Sequence, residues 1–427
     1  MRLGEVKGDL IVDDGTVEAS SPEGVIVEGR VQCRGYCEFI GDLKAQDIIS
    51  FSGDINFRGG VNASLIEVKR GSLEASGDID AKTIRVARKL TASGNIVSNN
   101  VDVGGSLEAR RDIKANRVHV GGSLRIQNNA EVDYIDVGGS VTVEGSTKSN
   151  TVKVGGTFKS EGTVEAEDVD VGGTFKAEDT VSIRSIDVGG SVVLSGGVVE
   201  RTIDVGGTLK SHEPLEFGEI DVGGTVSLSG GKGRDIQVGG TLRSEEGLVF
   251  DRIQVGGTVK IEGDSRGREV EVGGTLSVDG SLTLEERLKV GGKAYVSGDL
   301  EAGEVRVGGK IEANTLTAKK YVETNVLRTR RGAKAVRIEI GKRGEAEGPL
   351  VGEIIIIKER ARVEDVYGGE VQLRGRCRAR SVYGRKVRIE NGCDVDEVIY
   401  TESLHTDPSV RIRSAPQKTE KLPDPPL

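Results

Sequence analysis

The stretch VGGTFKSEGTVEAEDVD, residues 154–170, recurs in variant form along most of a 427-residue chain. Its lead triplet Val-Gly-Gly occurs thirteen times, from Val103 to Val307, and ten of the twelve steps are 17 residues long. The other two are 16 and 18. A fixed period of this length marks a repeat architecture in which each unit stacks on the next. Within the unit the apolar residues are Val154, Phe158, Val164, Ala166 and Val169. Around each triplet they alternate with polar ones, as in Ile186-Asp187-Val188. That is the period of a strand. A helix is disfavoured, because a glycine pair in every unit costs about 1 kcal/mol per glycine. The pair is expected to make a tight corner by reaching positive φ. One unit cannot bury its apolar side alone, whereas stacking buries a continuous column and pairs the backbone edges.

The predicted fold class is therefore all-β, a single-chain β-solenoid of roughly 17-residue coils. At about 4.8 Å per coil the twelve triplet steps span roughly 58 Å of a long rod. Weaker copies carry the register back through Val86, Val68 and Phe51. Residues 1–50 read as irregular coils, with Val27, Phe39 and Phe51 spaced by 12, and 51–318 as the regular repeat. Residues 319–405 read as basic coils. Within them 319–350 form an irregular junction, and the period then falls to 16. Val366, Val382 and Val398 make one column there, and Ile355, Val371 and Val387 another. The proline-rich stretch 406–427 reads as a disordered tail.

Composition supports this reading. There are 63 glycines, 8 prolines, no tryptophan and 3% aromatic residues, sparse for a globular enzyme core, which draws much of its buried area from aromatics. A net charge of −9 argues against the whole chain coating nucleic acid. Residues 319–390 are the exception, with 19 Lys+Arg against 10 Asp+Glu. The longest apolar run is Ile354–Ile357, so no transmembrane segment is expected, and no secretory signal is visible. Cytoplasmic residence is the expectation.

Equivalent positions of a solenoid stack into ladders. The residue after Gly-Gly is Ser or Thr eleven times running, from Ser106 to Thr275. A hydroxyl ladder on β-prone residues accounts for it; an ice-binding or ligand-binding face is the functional alternative. Asp170, Asp187, Asp204 and Asp221 precede the triplet valine and offer oxygen ligands to Ca²⁺. Lys153, Gln237, Gln254 and Lys289 share that column, a mixture that favours a plain solvated ladder.

No cofactor motif, small-molecule substrate site or catalytic residue emerges, so no enzymatic activity is expected. The three histidines, His119, His212 and His405, lack metal-ligating spacing, and His119 sits in the Asp column. Every Val-Gly-Gly falls on the repeat, so none reads as a phosphate-binding loop. Cys33 and Cys37 lie four residues apart, and Cys377 and Cys393 one coil apart beneath Ala361. The second pair reads as a buried thiol ladder or as a disulfide between neighbouring coils. Arg374, Arg376, Arg378 and Arg380 alternate, which predicts four guanidinium groups on one face of a strand. Such a face suits an anionic partner, or is simply solvated.

The pattern starts near Met1: Val6, Leu10 and Val12 already read as a rung, with no capping helix. An uncapped edge is a template for another chain. These residues are the candidate polymer interface, and Lys at Leu10 or Val12 is expected to block assembly while sparing the fold. The rungs Ser297–Ala313, with Gly41-Asp42-Leu43-Lys44-Ala45 and Gly77-Asp78-Ile79-Asp80-Ala81, resemble bactofilins, the polymer-forming cytoskeletal proteins. That resemblance implies a β-helix that self-associates into filaments without nucleotide and serves as a scaffold. The chain departs from the family in its greater length and in lacking a disordered membrane-targeting tail before the first rung. The alternative reading is a monomeric β-solenoid binding rod, adhesin-like or a partner-docking spacer.

Overall fold

The computed structural model describes residues Met1–Leu427. It is all-β without a helix, a parallel β-solenoid of about 25 turns with coils about 17 residues apart. The chain divides into two compact units, Met1–Phe217 and Gly218–Leu427.

In the first unit every repeat residue stacks on its counterpart one coil away. Val169 pairs with Val152 and Ile186, and Val171 with Val154 and Val188. All six are essentially inaccessible. Phe158 lies over Phe175 with ring centroids 5.2 Å apart, between Val141 and Val192. Each such apolar side chain contributes roughly 1.5–3 kcal/mol by leaving water.

The glycine corners have a different cause from the one expected. None of the Val-Gly-Gly glycines has positive φ. They are needed for close approach. A Cβ on Gly155 would stand 2.3 Å from the carbonyl oxygen of Gly138, one coil below, and a Cβ on Gly156 2.7 Å from that of Gly139. The amides of Gly155 and Gly156 donate to Val137 and Gly139, so the corners themselves are hydrogen-bonded from coil to coil.

The first coils correct the predicted register. Val68 pairs with Ser50, not Phe51. Ser50 is fully buried and donates its hydroxyl to the Gly53 carbonyl, whereas Phe51 is 41% exposed beneath the Lys69 ammonium. Val27 stacks between Val6 and Ala45, and Phe39 between Val17 and Phe57. The spacing of 12 therefore links different columns. The coils here are longer, Val17 to Phe39 being 22 residues, and register shifts at Asp13/Gly15 and Cys33/Arg34 hide the period.

In the second unit, Leu300–Glu347 turns its corners without a break in strand structure, through the stretch read as irregular. Beyond it both 16-residue columns are present. Leu350, Val366, Val382 and Val398 stack in order, as do Ile355, Val371, Val387 and Leu404. Residues 406–427, read as a disordered tail, carry two short strands. Arg411–Ile412 pairs with Asp394 and Val395, and Gln417–Lys418 with Ile399 and Tyr400. Most residues beyond Lys418 are exposed.

Candidate functional site

Three features of the two units stand out chemically. The first is the outermost strand, Leu10–Ala19. On one side it pairs with Val25–Ile40; on the other it meets only Arg2–Leu3, opposite Glu18 and Ala19. From Leu10 to Gly15 its outer edge has no strand partner. Leu10 and Val12 point inward and are buried, Val6 is half-buried, and Ile11 faces out, 49% exposed. The expectation that Leu10 and Val12 present a surface is corrected: a lysine at either would enter the core and strike the fold itself. The alternation of Leu10, Ile11 and Val12 carried that signal.

The second feature is the basic corner of the second unit. The four predicted arginines do not share one strand face. Arg374 and Arg376 flank a corner, Arg376 having φ of 64°, and the strand Arg378–Ile389 starts only afterwards. Arg380 is engaged by carboxylates, its Nε 2.8 Å from Asp365 Oδ1 and Glu364 close by. It therefore drops out of the patch. Its guanidinium holds the Asp365 carboxyl below the usual range. A corner column replaces the strand face. Arg343, Arg360 and Arg376 each adopt φ near +60°, and each amide donates to the residue before its counterpart in the next coil. Arg362 stacks on Arg378 beside them. The ion pairs of this region go instead to Lys358, Arg380, Arg385 and Lys386. Arg343, Arg360 and Arg362 were missed, although the spacing of Arg343, Arg360 and Arg376 by 17 and 16 was legible.

The third is the ladder preceding the triplet valine in the first unit. It runs Asp102, His119, Asp136, Lys153, Asp170, Asp187, Asp204. Acidic and basic residue types alternate up to Lys153, with His119 Nδ1 3.2 Å from Asp136 Oδ2. Then three carboxylates follow in succession. Partial burial, with Asp204 and Asp170 on either side, raises the Asp187 pKa. No group of three His, Cys, Asp or Glu side chains is disposed to hold a metal ion.

The four cysteines are free thiols and buried. The Cys377 thiol, and after it the Cys377 amide that donates to Cys393 Sγ at 3.3 Å, pull the Cys393 pKa down to about 7. A cleft of about 660 Å³ lies in the second unit beside the glycine corners. Lys289, Arg306, Lys342 and Lys358 line it with Glu271 and Glu323. No helix is long and apolar enough to cross a membrane. No protein-family model, curated protein or solved structure matches the chain.

Proposed function

We propose that this protein is a structural, polymer-forming scaffold of the bactofilin type, assembling through its solenoid edges in the cytoplasm without nucleotide. The observation that carries the reading is the strand edge from Leu10 to Gly15. It offers unpaired donors and acceptors beside an outward isoleucine, the arrangement that recruits a further strand. The unpaired arginines at 343, 360, 362, 374, 376 and 378 are a docking place for an anionic partner. Contacts of that kind weaken as salt rises.

The test is sedimentation and negative-stain electron microscopy of the whole protein across concentration and salt, beside an Ile11→Lys variant. This change charges the outer edge and leaves Leu10 and Val12 in place. Thin filaments from the parent protein are expected, with at least about a tenfold higher assembly threshold in the variant, equivalent to about 1.4 kcal/mol per junction. A parent protein that stays monomeric at every concentration overturns the reading in favour of a monomeric binding solenoid.

A further inference from the structure

The second unit carries an outward-facing apolar stripe one residue wide, Val351, Tyr367, Tyr383 and Ile399, each stacked on the next in register. The residues before them, Leu350, Val366, Val382 and Val398, point into the core. The tyrosine rings stack with centroids 4.7 Å apart. All four stripe residues are half-buried, whereas the outward arginines and lysine at 362, 378, 386 and 388 are exposed. Burial also pushes both phenols above their ordinary pKa.

The position of the proline-rich segment bears on what covers this stripe. Lys418 is its last residue in strand register, paired with Tyr400. Leu427 lies against Gly332: a Cβ there would be 2.7 Å from Leu427 Cδ1 and 2.8 Å from Pro349 Cγ. Between those points the ladder descends from Lys418 through Tyr400, Gly384, Gly368 and Gly352 to the coil of Ala335, which holds Gly332. Five coil steps make about 24 Å. Gly332 precedes Ala335 by three residues, so it also lies about 10 Å to the side of the Lys418 column at strand rise, with the stripe column between them. The direct diagonal is thus about 26 Å. Nine residues in polyproline conformation span about 28 Å, and fully extended at most about 32 Å. The other way round follows the remaining 13 residues of the 16-residue coil, about 43 Å at strand rise before the descent is added. Only the route across the tyrosine face is within reach.

We propose that the stripe is a docking groove for a proline-rich segment and that its occupant is this chain's own residues 419–427. Leu422-Pro423-Asp424-Pro425-Pro426-Leu427 crosses the stacked tyrosines as an extended strap, the way aromatic grooves take polyproline ligands. Leu427 anchors the far end at Gly332, where any side chain would collide with it. The strap ties the last coil to one five steps away, bridging coils that share no backbone hydrogen bond. Lifting it bares the tyrosines to a second proline-rich ligand.

The test is trypsin cleavage after Lys421 in the whole protein, followed by intact mass. The synthetic peptide KTEKLPDPPL serves as the undocked reference. Cleavage in the parent is expected to be at least tenfold slower than in the peptide. Two variants should restore peptide-like rates, Tyr367→Ser with Tyr383→Ser from the groove side and Leu427→Asp from the strap side. The second alters no coil, so a failure to fold cannot imitate its effect. Parent cleavage as fast as the peptide overturns the proposal. So does protection that vanishes on dilution, which would assign the groove to the segment of a second copy, and so does unchanged protection in both variants.

Discussion

The Val-Gly-Gly coils of the first unit and the 16-residue coils of the second turn their corners by opposite means. In the first, both corner glycines keep ordinary φ, and each removes a side chain that would strike the carbonyl oxygen of the coil below. In the second, the corner column is Arg343, Arg360, Arg376 and Gly392, every one at φ between 58° and 72°. There the backbone is left-handed and side chains project freely. One corner is limited by space between coils, the other by local conformation. Glycine answers a close approach between coils in the first, and arginines occupy the left-handed bend of the second.

The widest contrast is expected from substitutions at the two bends. Gly155→Val should cost about 2–3 kcal/mol, the scale of overpacking, because the Gly138 carbonyl cannot retreat without disturbing the column beneath it. Arg376→Gly should go the other way. Release from the left-handed region recovers about 1 kcal/mol, and the greater freedom of glycine in the unfolded chain offsets part of that. Urea denaturation of both variants checks the pair. A Gly155→Val protein as stable as the parent would break the close-approach account. A loss above about 1 kcal/mol for Arg376→Gly would show that its side chain holds the corner.

The smallest effect concerns charge along the first unit. Asp187 has its pKa raised above the ordinary carboxylate value by burial and by its neighbours Asp204 and Asp170. The folded state then holds this proton more tightly than the unfolded state. Its contribution is complete below about pH 4 and is lost as pH rises through the folded value. Asp187→Asn should stabilise the protein slightly at pH 7, and not at all near pH 3. Thermal melts at the two pH values check it. A stability loss at pH 7 would mean that the three carboxylates answer to a bound cation.

How much of this was legible depended on whether one period governed the segment. From Val103 to Val307 the spacing alone sets strand, register and core, since each valine must stack on the next. The columns of Val366 and Ile355 followed in the same way. Reading failed where the coil length changes within a few residues. Phe51 looks like the next valine of the column, but a shift at Cys33/Arg34 brings Ser50 there instead. The arginines at 374–380 alternate like a strand, and alternation cannot reveal a left-handed bend at Arg376. The unpaired edge beside Ile11 was half legible: the rung was recognised, and its inward and outward members were exchanged.

The hydrogen bonds that join the coils lie along the stacking direction, from the Gly172 amide to the Val154 carbonyl and from the Gly189 amide to the Val171 carbonyl. Tension applied along that direction therefore loads one coil interface at a time, in the manner of a zipper rather than of strands sheared in parallel. Each rupture of a 17-residue coil frees about 60 Å of chain and leaves the coil beneath with its own pairing whole. Under load, such a stack lengthens in equal instalments and absorbs work at each, instead of failing at once.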